Sequence, residues 1–316
     1  MSKKNSLRFI ELVERSMEFR GNIVPVDENL VKKLNRKIDY PAWSSMYIFS
    51  DDMVEHLNNL KNAEEKPTVL GFKGKVLANY LWIDIDTKEE NTDDVNMNVL
   101  SVIKQTKKIV TDIMLNYDLD EKSIRIYFSG SKGFHVGIPT KCFGADNFVS
   151  EALPTIFKIM AKEITNNSSC VDFKIYNTTR IFRVPSSKHN KTQYYKVLVS
   201  LDTIQKLDTE LILKNAKDCI HEETEFNPIV NVKLSQLFDK CCGKSANQFD
   251  LLETVESSKN NTKNNKTLFR FPKKGERNDA LFRMGVKLFS IPPQYLSNDM
   301  VVDIMNLISD AVNTAA

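Results

Sequence analysis

The chain has 316 residues, 41% of them hydrophobic and 27% charged, with a formal net charge of +3. That length supports one large domain, or a domain with a small appendage, and so mild a positive charge permits a nucleic-acid surface without arguing for one. No apolar run reaches the roughly 18–20 residues of a membrane span, and the N-terminal MSKKNSLRFIELVERS has no apolar signal region, so neither a membrane span nor a secretory leader is expected.

Taken in chain order, LRFIELVERSMEF (residues 7–19) has the spacing of an amphipathic helix, and DDMVEHLNNLKN (51–62) that of a second. KVLANYLWIDID (75–86) reads as a strand, and a long helix follows from 93 to 115 with Val95, Val99, Val102, Ile109 and Ile113 on its apolar side. IRIYFS (124–129) and FHVGIP (134–139) are short strands joined by a glycine-spaced loop, and residues 148–164 are again helical, with Pro154 near the first turns. CVDFKIY (170–176), RIFRVP (180–185) and TQYYKVLVSL (192–201) read as strands. The resulting β-α-β-β-α-β order predicts an α+β fold, an RRM-like split βαβ sandwich over about residues 75–200 behind an N-terminal α/β extension.

The domain expected over residues 1–250 gives way to a linker at 251–267, whose ESSKNNTKNNKT (256–267) is polar and poor in apolar residues. Residues 268–316 carry two helical patterns, around Leu281, Met284 and Leu288 and around Val301, Ile304, Ile308 and Val312, separated by Pro292–Pro293; they read as a small all-α domain. Of the five cysteines, Cys219, Cys241 and Cys242 stand with His221 as the residue types of a zinc site. Their C-x-H and C-C spacings cannot present two ligands from one turn, so free thiols in a reducing cytoplasm are expected instead of structural zinc or disulfides.

Three segments carry chemistry. In YLWIDID, strand alternation sets Trp82, Asp84 and Asp86 on one face, with the two carboxylates roughly 7 Å apart at Cα. That spacing suits a shared divalent ion or a bracketed pair, and equally a solvent-facing acidic strand. In SGSKGFHVGIP (129–139) the glycines leave amides bare and Lys132 adds charge, as a phosphate cradle requires; a hairpin with a core histidine has the same pattern. It is not a P-loop, because GxxxxGK[ST] is missing from the chain. In CVDFKIYNTTRIFRVPSSKHNKT (170–192) Asp172 lies between apolar neighbours and precedes Arg180, Arg183, Ser187, Lys188, His189 and Lys191. That cluster fits a phosphate or a nucleic-acid backbone, or simply a solvated basic hairpin. The three together converge on one sheet face and point to a nucleoside-triphosphate site with divalent metal.

The ordered set LWIDID, FSGSKGFHV and VDFKIYNTTRIFRVPSSK resembles the three motifs of the archaeo-eukaryotic primase superfamily, in particular its PrimPol-like primase-polymerases of phage and plasmid type. The motifs cover about a third of the chain, residues 84–188, and the tail with GERNDAL is similar to the helical C-terminal domain of such proteins. The resemblance implies a template-directed nucleotidyltransferase, a DNA primase or polymerase that adds NTPs or dNTPs on a single-stranded DNA template or its primer strand. It implies two Mg²⁺ or Mn²⁺ ions on Asp84, Asp86 and Asp172, and nucleotide phosphates held by Ser129, Lys132, His135, Arg183, Ser187 and Lys188. Arg180 is implied as a phosphate or DNA contact. A helicase, fused or separate, is the further partner it suggests, and the cytoplasm of a bacterial or phage-infected cell the location. A gap-filling end-joining polymerase and a non-catalytic replication-initiation module that binds DNA are the rival readings.

Overall fold

The computed structural model describes residues 8–86 and 95–258, in a chain that divides into two compact units at Thr254 and Val255. Residues 87–94, the helical domain expected at 268–316 and the linker from 259 onward lie outside the described residues. The described part is a mixed α+β fold with antiparallel sheets.

The chain opens with strands β1 (Phe9–Glu14) and β2 (Ile23–Pro25), helix α1 (Glu28–Leu34), strands β3 (Ala42–Ser45) and β4 (Ile48–Phe49), and helix α2 (Asp52–Asn62). Strands β5 (Val76–Leu77) and β6 (Tyr80–Ile85), helix α3 (Val95–Tyr117), hairpin strands β7 (Arg125–Phe128) and β8 (Phe134–Pro139) and helix α4 (Leu153–Ile164) follow. Strands β9 (Ile181–Arg183) and β10 (Val197–Val199) and helices α5 (Leu201–Lys206), α6 (Thr209–Asp218) and α7 (Val232–Ser258) complete it. No helix among the described residues is long and apolar enough to cross a membrane. Because α7 runs to Ser258, the first residues of the segment read as linker are helical.

Two sheets form. One has the order β10-β7-β8-β6; the other runs β5-β4-β1-β3-β9, with β2 also on β1. In the first, Leu81, Ile83 and Ile85 alternate with Tyr80, Trp82 and Asp84, and the apolar set is fully buried. With Ile126, Phe128, Phe134, Val136 and Ile138 it makes a dry face that α3 and α4 cover through Val102, Ile103, Val110, Ile113, Phe157 and Met160. Burying this many aliphatic side chains, each worth about 1.5–3 kcal/mol, sets the orientation of the sheet and turns its other face outward.

Several expectations are corrected. Residues 9–14 form a strand, not a helix. Glu11, in the middle of that strand, is 1% exposed and accepts hydrogen bonds from Arg20 Nε and Nη2 at 2.9 and 2.7 Å. Once that carboxylate is neutralised indoors, β1 can be buried on both faces between β2, β3 and β4. The single strand expected over 75–86 is two strands in different sheets, broken at Ala78 and Asn79. CVDFKIY is not a strand: Val171 makes one isolated antiparallel bridge to Ile85, and a 3₁₀ turn, Phe173–Ile175, follows at once. RIFRVP does form β9, but β9 pairs with β3 in the second sheet, not in the core sheet.

Candidate functional site

The floor of the site comes from pairing register. Asp84 on β6 stands directly opposite His135 on β8, and His135 opposite Tyr127 on β7, so the three share a row on the outward face. His135 Nε2 lies 3.5 Å from Asp84 Oδ1, and Phe182 of β9 stacks on the imidazole with centroids 4.5 Å apart. Burial, reinforced by the charges of Lys196, Arg183 and Arg180, holds the His135 pKa well below its usual range, so the ring is neutral. Its Nδ1 is buried and has no hydrogen-bond partner. Burial also raises the Asp84 pKa to about 6; Arg180 opposes this and Asp172 and Asp86 add to it.

The glycine loop forms one end. Ser129 N donates to Gly133 O at 2.9 Å and Gly133 N donates back to Ser129 Oγ at 3.2 Å, closing the turn. Gly130 sits at φ +86°, where a Cβ would lie 2.8 Å from Tyr194 O, so both conformation and space require glycine. The Thr192 hydroxyl donates to Gly130 O and ties the loop to the segment before β10. Lys132 Nζ reaches to 3.5 Å from Asp86 Oδ1, just past the end of β6.

The opposite wall comes from residues 172–183. Asp172 N donates to Asp84 O at 2.9 Å, which sets Asp172 beside β6, and the carboxylate caps the 3₁₀ turn through Lys174 N. Tyr176 Oη donates to Trp82 O at 2.6 Å and anchors the following loop. That loop delivers Arg180, whose Nη2 is 3.4 Å from Asp84 Oδ2 and 3.6 Å from Asp172 Oδ2. Arg183 lies over the Trp43 ring at 5.1 Å and donates to Lys188 O at 2.9 Å. Burial lowers its pKa to about 10, which leaves it charged at neutral pH.

Between floor and wall is a cleft of about 340 Å³. Of the sequence-predicted residues, Asp84, Asp86, Ser129, Lys132, His135, Arg180 and Arg183 line it, and Asp172 adjoins it across Arg180. Two do not come to it. Ser187 is fully buried and donates to Val184 O and Ala42 O at 2.6 and 3.2 Å, while Lys188 turns toward Asp39 and the Tyr195 ring. Trp43, Ser131 and Phe182 line the cleft without having been singled out in the sequence, and His189 of the cluster after Asp172 lines it too. Trp43 comes from the second sheet and has no local signal. His189 is burial-lowered to about 4 and accepts from Lys191 N and Thr192 N, so it is neutral.

The donor set fits a divalent cation. Three carboxylates supply hard oxygens, Asp86 Oδ1 is buried without a hydrogen bond, and the Asp84 pKa is raised chiefly by its burial. Among the described residues no three His, Cys, Asp or Glu side chains already meet at one metal-sized point. Arg180 stands between Asp84 and Asp172, and Lys132 beside Asp86, as the carboxylates' present counter-charges. His221 of the weighed zinc set is engaged elsewhere, accepting from Leu198 N and pairing with the Ser186 hydroxyl. No protein-family model matches the chain, and no curated protein is significantly similar to it.

Proposed function

We propose that the chain is a template-directed nucleotidyltransferase of primase-polymerase type, using Mg²⁺ or Mn²⁺ to add NTPs or dNTPs on single-stranded DNA. One observation carries the reading: Asp84 and Asp86 stand beside the Ser129–Lys132–His135 loop and face, across one cleft, Arg180 and Arg183 of the wall that also brings Asp172 next to Arg180. Carboxylates alone would serve a metal, and cations alone an anion. Both together suit a metal-bound triphosphate, and their sequence order is that of the primase-superfamily motifs. The sheet supports the RRM-like arrangement, with β8 between β6 and β7 and the Ile85–Val171 bridge where a fourth strand would run beside β6. On this reading β10 is an added strand on the far edge.

Divalent ions on Asp84, Asp86 and Asp172 would supply Lewis-acid stabilisation of the charge on the transferring phosphoryl group. The chain's own contribution is positioning and charge. The Ser129–Gly133 turn presents its hydroxyl and amides, and Lys132 its ammonium, to triphosphate oxygens. His135, neutral and packed under Phe182, offers a directed N–H without adding a titrating charge. Arg180 and Arg183 bring fixed guanidinium charge from the opposite wall. Together these groups hold the α-phosphorus in line with an incoming 3′-hydroxyl.

The test incubates the protein with single-stranded template, Mn²⁺ or Mg²⁺ and labelled nucleotides, with and without primer. Product without primer identifies a primase; extension alone identifies a polymerase, gap-filling types included. No product in either case, with template binding that survives Asp84→Ala, would assign the chain to the non-catalytic DNA-binding class.

A further inference from the structure

Beneath the cleft floor lies a lysine that the mechanism above does not use; burial, then the nearby Arg183 charge, lower its pKa to about 7, so it is close to half protonated at neutral pH. Lys196, one residue before β10, is 1% exposed and does not line the cleft. Its Nζ donates to Arg183 O at 3.0 Å. Around it stand three rings: Tyr127 at 5.1 Å, Trp82 at 5.2 Å and Phe182 at 5.7 Å from their centroids. The box is built closely, since a Cβ on Gly137 would lie 2.7 Å from the Trp82 ring; the glycine lets the indole lie flat on β8.

Every wall of the box belongs to a neighbour of a cleft residue. Trp82 precedes Asp84 by two positions on the same strand face. Tyr127 pairs with His135 across the β7–β8 register, and Phe182 stacks on His135. Among the described residues the oxygen that Nζ bonds is the carbonyl of Arg183 itself. Lys196 therefore joins the two sheets between which the cleft opens, its own end of the core sheet to β9 of the other. An apolar side chain would fill the box without burying an amine, so a lysine at this position points to a role beyond packing.

We propose that Lys196 is a positioning residue of the site. Its side chain pins the Arg183 main chain over the cleft, and its ammonium form, behind the Asp84–His135 row, is favoured by and favours an anionic ligand in front of it. The proposal rests on the nucleotide reading above and extends it to a residue that touches neither nucleotide nor metal. Because the charge faces bound triphosphate before and during reaction alike, it acts on binding more than on turnover.

The experiment compares wild type with Lys196→Met, which fills the box without charge or hydrogen bond, and Lys196→Gln, which keeps a donor for Arg183 O. Each is checked for folding by thermal melt, then titrated with dATP in Mn²⁺ and assayed at saturating dATP. The expected result is dATP affinity weakened by about tenfold in Lys196→Met, less in Lys196→Gln, with saturated turnover within about threefold of wild type. Wild-type affinity in either folded variant, or lost turnover at unchanged affinity, overturns the proposal. So does failure of both variants to fold, which would make Lys196 a folding residue only. If wild type itself binds no dATP, the nucleotide reading falls first and this one with it, whereas binding by wild type and unchanged binding by the variants removes Lys196 alone.

Discussion

The two faces of the four-stranded sheet obey opposite rules although they are made by alternate residues of the same strands. On one, Leu81, Ile83 and Ile85 lie at zero exposure against α3 and α4 and stabilise the fold by leaving water. On the other, Asp84, His135 and the buried Lys196 sit in an environment that pushes each toward its neutral form: the carboxyl pKa up, the imidazole and ammonium pKa down. The second face costs stability and is kept together by the first. The site is thus a group of poorly solvated polar and charged side chains mounted on an apolar sheet face, and substitutions on one face or the other separate the two.

The largest effect is expected on the site face. Asp84→Asn, assayed with template and Mn²⁺, should reduce synthesis by roughly a thousandfold or more, because one of the three oxygen donors loses its charge. Activity within tenfold of wild type would remove Asp84 from the site. On the other face, Ile83→Ala should cost about 2–4 kcal/mol in urea unfolding, through lost transfer energy and a cavity under α3, while nucleotide affinity of the folded protein stays the same. A drop in affinity as large as the drop in stability would mean that the two faces are not separable.

A smaller effect has the opposite sign. The folded-state pKa of Asp84, about 6, lies above its ordinary 3.8. The stabilisation this gives to the protonated acid is complete below pH 4 and is lost as pH rises through 6. Asparagine is neutral throughout. With chelator present, Asp84→Asn should therefore be more stable than wild type at pH 8, by about 1–3 kcal/mol, and the gain should vanish near pH 4. An inactive variant that is also more stable is what a functional face predicts; one that is less stable at pH 8 would contradict it. The smallest effect concerns Lys188, which turns toward Asp39 and Tyr195. Lys188→Ala should change dATP affinity by less than about twofold, and a tenfold loss would show that its loop closes over the cleft when nucleotide binds.

What could be read in the sequence was what repeats locally. The alternation in YLWIDID, the helical spacing after it and the glycine spacing of SGSKGFH are short-range signals, and β6, α3 and the β7–β8 hairpin follow them. The same signals misled where a charge is neutralised inside the fold: Glu11 made a buried strand look like an amphipathic helix until Arg20 accounted for it. They misled again at CVDFKIY, where apolar alternation suggested a strand but the Asp172 carboxylate caps a 3₁₀ turn after a single bridge.

The sequence by itself therefore determined the order of the three segments and the alternation that puts Asp84 on the face away from the core; the β6–β8 register that sets Asp84 opposite His135 belongs to the tertiary structure. Only the tertiary structure decided the wall. Trp43 comes from a different sheet, β9 leaves the core sheet to lay Phe182 on His135, and Lys196 enters the aromatic box from below. Ser187, with the same local look as its neighbours, is spent on main-chain carbonyls. The physical reason is range. Periodicity reports how one segment meets water and core, whereas a cleft between two sheets is set by which distant segments share a boundary.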